Sequence, residues 1–262
     1  MPGSVAAVDG YDDRSYGEAF ADVYDEWYHS VSDIDATVTD LLAFVGDGGR
    51  ILELGVGTGR LAVPLAQAGA SVGITVSGID SSQAMLAKLA ERDVGGLVTV
   101  VCGHMVEEAP AGPFDLVFVA YNTLFNLTAE GAQAACFRAM AARLCPGGRF
   151  VVEAFIPDEP ARAGNEVSLR SLTADRVVLA VTRHSPQHQS AEGQFIEFTE
   201  SGGVRLRPWV VRYATPDQLD GFAAAAGFQL EHRWESFGDA TSANPSDTEA
   251  NRHVSVYRLA QS

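Results

Sequence analysis

The chain has 262 residues, 47% of them apolar, which is enough for one large domain, or a domain with an insertion, whose core needs no staples. Asp and Glu total 34 against 18 Lys and Arg, a formal charge of -16, so no dense basic patch can form for nucleic acid or an anionic membrane, and small or cationic partners are favoured. Three scattered cysteines without metal or disulfide spacing, no leader pattern and no apolar run of about 18 residues lead us to expect a soluble, cytoplasmic protein with no metal and no membrane partner.

Residues 1–15 read as flexible. From Tyr16 to Val31, aromatic and apolar residues recur at helical spacing, and residues 34–45 give a second amphipathic helix ended by "GDGG". "RILEL" reads as a short buried strand, and "GRLAVPLAQAG" as a helix that tolerates Pro64 only near its first turn and stops at Gly69. "ITVSGID" is a strand and "SSQAMLAKLAER" a serine-capped helix. "LVTVVCG" and "FDLVFVA" are strands, "AEGAQAACFRAMAARL" is a helix ended by "CPGG", and "RFVVEAF" is a fifth strand. Alternation from residue 50 to 155 predicts a doubly wound, mostly parallel α/β sheet covered on both faces.

After Pro157 the pattern changes. "EVSLRSLT", "RVVLAVTRHS", "GQFIEFTES" and "VRLRPWVVRYA" predict an antiparallel β insert after the fifth strand, with no helix in it. A Thr215-capped helix, "TPDQLDGFAAAAG", and the strands "FQLEHRWESF" and "HVSVYRLA" follow, with a loop-like stretch around 238–250. The expected division is an N-terminal helical segment over 1–47, an α/β core over 48–156, the insert over 157–214, and a closing helix with two strands over 215–262.

The stretch "ELGVGTGR" places Gly55, Gly57 and Gly59 between a strand and a helix, where bare backbone and N–H groups can face a ligand. The spacing is G-x-G-x-G. A dinucleotide fingerprint needs a further glycine where Arg60 stands, and a phosphate loop needs a lysine that is absent. Glu53, just before the turn, would repel a pyrophosphate and suits a cation. Asp80 ends the second strand, where a carboxylate can accept both ribose hydroxyls. The ligand implied is a cationic nucleoside without phosphate, a description that S-adenosylmethionine meets.

"RILELGVGTGRLAVPLAQAG", "VSGIDSSQAMLAKLAER", "FDLVFVAYNTLFNL" and "LCPGGRFVVEAF" resemble the successive motifs of class I S-adenosylmethionine-dependent methyltransferases. The likeness runs over residues 16–155 and the final strands, and implies a seven-stranded, Rossmann-like sheet whose last strand is antiparallel. "YGEAFADVYDEWY" and the insert are similar to the actinomycete amino-sugar and lincosamide N-methyltransferases of antibiotic biosynthesis. That resemblance implies that 1–47 is a lid in which Tyr16 closes over the active site and Tyr24 lies near the methionine end of the cofactor. It also implies an insert that covers the substrate and builds a homo-oligomer. The second strand arrives late, and His104 in "GHM" stands where the family often has an acid near adenine.

Each candidate has a plainer alternative. The glycines can serve the turn alone, Asp80 can cap the next helix, Glu53 can be a solvated strand end, and Arg60 reads as a helix-surface residue. Met85 can belong to the core, His104 to an ordinary loop, and Tyr16 and Tyr24, eight apart, to one buried helical face. The expected cofactor contacts are Tyr16, Tyr24, Glu53, Gly55, Gly57, Gly59, Asp80, Ser81, Met85, His104, Met105 and Ala120; the expected catalytic pocket is Tyr16, Phe125 and Asn126. No histidine occupies the loop after the fourth strand, and Asn126 cannot act as a base. Methyl transfer to the amine of a small molecule is therefore the expected activity. An O-methyltransferase, a nicotinamide-dependent oxidoreductase and a non-catalytic scaffold are the alternatives.

Overall fold

In β4 (Phe114–Val119), Leu116 and Phe118 belong to one apolar cluster while Phe114, Val117 and Val119 belong to another. A strand buried on both faces is a central strand with helices on each side. The structure, a computed structural model, describes residues 8–29, 31–239 and 251–260. Residues 1–7 of the stretch expected to be flexible, and 240–250 of the expected loop-like stretch, lie outside the described residues.

The core strands are β1 (Arg50–Leu54), β2 (Thr75–Asp80), β3 (Val98–Cys102), β4 and β5 (Leu144–Phe155). The insert supplies β6 (Gly164–Leu172), β7 (Arg176–Ser185), β8 (Ser190–Thr199) and β9 (Gly203–Arg212), and β10 (Phe228–Trp234) and β11 (Arg252–Leu259) complete the core. The seven-stranded sheet has the order β10-β11-β5-β4-β1-β2-β3. β1 to β5 are parallel neighbours, and β11 runs antiparallel to both β5 and β10. The insert is a separate antiparallel sheet, β6-β7-β8-β9. The doubly wound α/β architecture with an antiparallel insert is thus present.

The helices are α1 (Ser15–Phe20), α2 (Tyr24–Trp27), α3 (Ile34–Ala43), α4 (Ala62–Gly69), α5 (Gln83–Arg92), α6 (Ala132–Ala141) and α7 (Pro216–Ala225). Pro64 sits in the first turn of α4. The Ser82 hydroxyl accepts from the Met85 N–H to cap α5, and Thr215 with Gln218 forms a capping box on α7.

Three local expectations are corrected. The helix expected over 16–31 is two short helices. Arg207 of the insert donates to the Ala19 carbonyl, and the Val23 N–H turns to the Phe20 carbonyl instead, so the ladder breaks there. The "CPGG" run is the start of β5 rather than a stop before it. A one-turn 3-10 helix, Pro186–His188, joins β7 to β8.

One face of the insert packs on the N-terminal segment, with Phe195 against Phe20 and Trp27 at 5.8 Å between ring centroids. Ion pairs tie the same surfaces together: Arg205 and Arg207 to Asp22, and Arg176 to Glu26. The other face carries an apolar row that crosses all its strands, Leu169, Leu179, Ile196 and Leu206. Leu169 and Leu206 are 57% and 56% exposed, and Val167, Leu172, Phe198 and Val204 are bare beside them.

Candidate active site

β1 and β4 are neighbours in the sheet, and the strand order reverses between them, which opens a crevice at their C-terminal ends. The glycine loop follows β1 into this crevice. Gly55 has φ +67°, and a Cβ there would stand 2.3 Å from Thr123 Cγ2. Gly57 has φ +54° and open space before it, since a Cβ would meet nothing nearer than the Gly55 carbonyl at 3.9 Å. The loop is fastened to β2, because the Gly57 N–H donates to Asp80 Oδ2 at 2.9 Å while Oδ1 accepts from the Ser82 N–H, also at 2.9 Å. Burial raises the Asp80 pKa against the pull of these two N–H groups.

Above the loop lies a cavity of about 1190 Å³, including its open mouth. The structure brings Tyr16, Tyr24, Gly55, Gly57, Asp80, Ser81, Met85, His104, Met105 and Asn126 to its wall. His104 Nδ1 accepts weakly from the Val106 and Glu107 N–H groups at 3.4 Å. Glu53 and Ala120 line a smaller adjoining cavity together with Tyr121. Two candidates are placed elsewhere. A Cβ on Gly59 would meet Leu89 Cγ at 2.8 Å, so this glycine admits α5 against the loop rather than facing the cavity. Phe125 is fully buried in the core, edge-on to Phe155 at 5.0 Å. Arg60 is no surface residue of a helix: it precedes α4, lines the smaller cavity and donates to the Ser32 hydroxyl at 2.6 Å.

Glu53 is 5% exposed and its Oε2 has no hydrogen-bond partner. Burial pushes its carboxyl up to about 8, although Arg60 pulls the other way. A buried oxygen without a donor, beside the glycine loop, suits a cationic ligand group. Burial, with Tyr28 and Tyr24 nearby, holds the Tyr16 phenol well above the usual range. Tyr28 in turn packs on Tyr24 and Tyr121 at 4.9 and 5.6 Å.

The sequence reading missed part of the wall. Tyr11, Asp12 and Asp13 line the cavity from a stretch read as flexible, and burial pushes the Tyr11 phenol up to about 12. Val210 brings β9 of the insert to the same wall, and Thr123 fills the space that Gly55 leaves. The signal available was an aromatic beside two acids in "GYDDRSYG".

The lining fits S-adenosylmethionine. Among the described residues, three carboxylates, Asp12, Asp13 and Asp80, and no Lys or Arg line the main cavity, so a pyrophosphate finds no counter-charge from them and a cationic nucleoside finds several. Asp80 would hold the ribose, the loop backbone at Gly55 and Gly57 the amino-acid portion, and Met85, His104 and Met105 the base.

A methyltransferase domain model matches residues 51–148. The chain is 37% identical to the CcbJ methyltransferase of Streptomyces caelestis, covering 95% of this chain and all of that one with a TM-score of 0.83. It is 32% identical over 160 residues to a cypemycin N-terminal methyltransferase from Streptomyces sp., a match to 58% of this chain that spans 63% of that protein's length. The fold alone is shared with S-adenosylmethionine-bound CalS10, an amino pentose methyltransferase from Micromonospora echinaspora, at 22% identity, 90% and 96% coverage and a TM-score of 0.64. The chain belongs to the S-adenosylmethionine-dependent methyltransferases.

Proposed function

We propose that this chain methylates the nitrogen of a small-molecule amine, in an antibiotic or related secondary-metabolite pathway. The observation that carries the reading is the cavity wall, which among the described residues holds acids and phenols and no Lys or Arg, and so favours an incoming ammonium over an anion. When bound, S-adenosylmethionine supplies a methyl carbon made electrophilic by its sulfonium sulfur. The chain's own work is to hold, orient and dry the reactants. Tyr16, Tyr24 and Tyr28 close one side and exclude water. Tyr16 orients the acceptor without serving as an essential base, because its phenol is held protonated. Asn126 offers its amide to the acceptor. An amine needs no more, since its lone pair attacks once its proton has left. A hydroxyl would need a base, and among the described residues His104 is the one imidazole of the main cavity wall.

The name of the cypemycin relative supports nitrogen as the acceptor. Residues 1–47 act in this reading as the lid, 157–214 as the substrate cover, and 48–156 with 215–262 as the cofactor-binding body. The bare apolar face of the insert serves as the contact of a homo-oligomer. Among the described residues no helix is long and apolar enough to cross a membrane.

The test is methyl transfer to paired probes, an amine and its hydroxyl isostere, with the product mapped by mass spectrometry and NMR. N-methylated product is expected; methyl found on oxygen alone overturns the reading.

A further inference from the structure

Thr58 stands between Gly57 and Gly59 in the glycine loop, yet it is on the wall of neither the main nor the smaller cavity. It is 1% exposed, and its side chain serves the N-terminal segment instead: the hydroxyl donates to Asp25 Oδ1 of α2 at 2.7 Å. Arg92, in the last turn of α5, closes the triangle. Its Nη1 donates to the Thr58 hydroxyl at 3.1 Å and to the Thr58 carbonyl at 3.0 Å, and its Nη2 pairs with Asp25 Oδ2 at 2.6 Å.

The other end of α5 is held in the same way. Glu18 Oε1 of α1 accepts from the Ser82 hydroxyl at 2.9 Å and from the Ala84 N–H at 3.2 Å. The approach is so close that a Cβ on Gly17 would stand 2.3 Å from Ser82 Cβ. The Ser82 N–H in turn donates to Asp80, the expected ribose ligand. Two acids of the N-terminal segment therefore grip the two turns that carry the expected cofactor contacts, and the helices that bear these acids also bear Tyr16 and Tyr24.

A loop with glycine at positions 55, 57 and 59 has little conformational preference of its own. A ligand lodged against the Gly57 backbone holds the next residue too, and so settles where the Thr58 hydroxyl points. Asp25 keeps 45% of its side-chain surface in water, so it stays solvated when that hydroxyl turns away, and the contact opens at little cost. We infer that Asp25 is a positioning residue acting through Thr58: a cofactor held by the glycine loop seats α2 and α1, and this completes the wall at which Tyr16 meets the acceptor. The inference rests on the proposed site, in which Tyr16 orients the acceptor, and is indifferent to whether the acceptor is nitrogen or oxygen. Such coupling is reciprocal, so whatever the cofactor adds to the seat of the helices, the seat adds to cofactor affinity.

The test is calorimetric titration of S-adenosylhomocysteine into the full chain, beside amide hydrogen exchange over α1 and α2. Asp25 is on the wall of neither cavity, so a loss of affinity on changing it is not the loss of a direct contact. Asp25→Ala and Thr58→Val are each expected to bind S-adenosylhomocysteine roughly tenfold more weakly. The double variant should bind no more weakly than the weaker single one, because both changes break the same contact. In wild type the ligand should slow exchange in α1 and α2 roughly tenfold, and in the two variants this protection should be lost. Thr58→Ser keeps the hydroxyl and is expected to keep both readouts, which separates loss of the bond from loss of the fold. Unchanged affinity in Asp25→Ala, or equal ligand protection of α1 and α2 in wild type and Thr58→Val, overturns the inference. Its failure is separable from that of the proposed function: unchanged affinity in Asp25→Ala sinks only the coupling, whereas methyl found on oxygen alone sinks the nitrogen reading and leaves the coupling standing.

Discussion

Arg207 of the insert is 1% exposed and holds Asp22, between the two N-terminal helices, with both ends of its guanidinium, while Nη2 also donates to Glu197 at 2.8 Å. The same guanidinium takes the Ala19 carbonyl and stands 5.3 Å over the Trp27 ring. One side chain therefore fixes both the break between α1 and α2 and the seating of the N-terminal segment on the insert.

Removing one partner of a buried ion network leaves the others desolvated and unpaired. Arg207→Met is expected to cost about 3 kcal/mol, a fall in Tm of roughly 6–12 °C. Adding Glu197→Gln to that variant should recover part of the loss, since it removes the stranded charge. Thermal unfolding of both variants checks this, and an unchanged Tm for Arg207→Met contradicts it.

Gly57 and Gly59 should separate ligand contact from packing. Gly57→Ala meets no protein atom nearer than 3.9 Å, so its cost to the fold is the φ strain of about 1 kcal/mol. Its methyl would occupy space meant for ligand, and S-adenosylhomocysteine affinity should fall roughly tenfold or more. Gly59→Ala drives a methyl into Leu89 at 2.8 Å, and should lower stability more than Gly57→Ala. Calorimetric titration beside thermal unfolding distinguishes the two. Equal affinity losses in both would count against the assignment.

Glu53 gives a pH signature. Its folded pKa is raised by burial to about 8, above an unfolded value near 4.3, so the folded state binds the extra proton. Its stabilising contribution is complete below pH 4 and is lost as pH rises to about 8. Relative to wild type, Glu53→Gln should therefore gain stability with rising pH, by about 3–5 kcal/mol across that window. Denaturant unfolding at pH 5 and pH 8 reads the difference, and a pH-independent one contradicts it. S-adenosylhomocysteine carries an ammonium, and its binding should release a proton in the same window, visible by calorimetry in two buffers.

Tyr16→Phe removes the phenol hydroxyl from the cavity wall but keeps the ring that stacks on Phe20 at 4.3 Å. Methyl transfer should slow roughly five- to tenfold, with S-adenosylhomocysteine affinity retained. Complete inactivity with fold and binding intact would make Tyr16 an essential base instead.

The α/β core was legible because its rules are local. "FDLVFV" reads as a buried strand, and Ser82 and Thr215 cap the helices that follow them. The glycine loop was legible by its spacing, although the structure divides its labour between cavity and packing. What escaped depends on distant partners. The break at Ala19–Val23 is made by Arg207, 188 positions away along the chain. Tyr11 to Asp13 look unstructured until the cavity and β9 give them a wall to join. Phe125 reads as a pocket residue by its place after β4, but the 3-10 turn Thr123–Asn126 sends its ring into the core and leaves Asn126 on the cavity wall.

The most direct measurement is calorimetric titration of S-adenosylhomocysteine into wild type and Asp80→Asn, with NAD as a control. Asp80 clasps the loop through Gly57 and faces the cavity. Micromolar binding that weakens at least about tenfold in the variant, with no binding of NAD, is the expected result. Unchanged affinity in Asp80→Asn would show that the cofactor does not bind in the cavity described, and the assignment of every other residue there would fall with it.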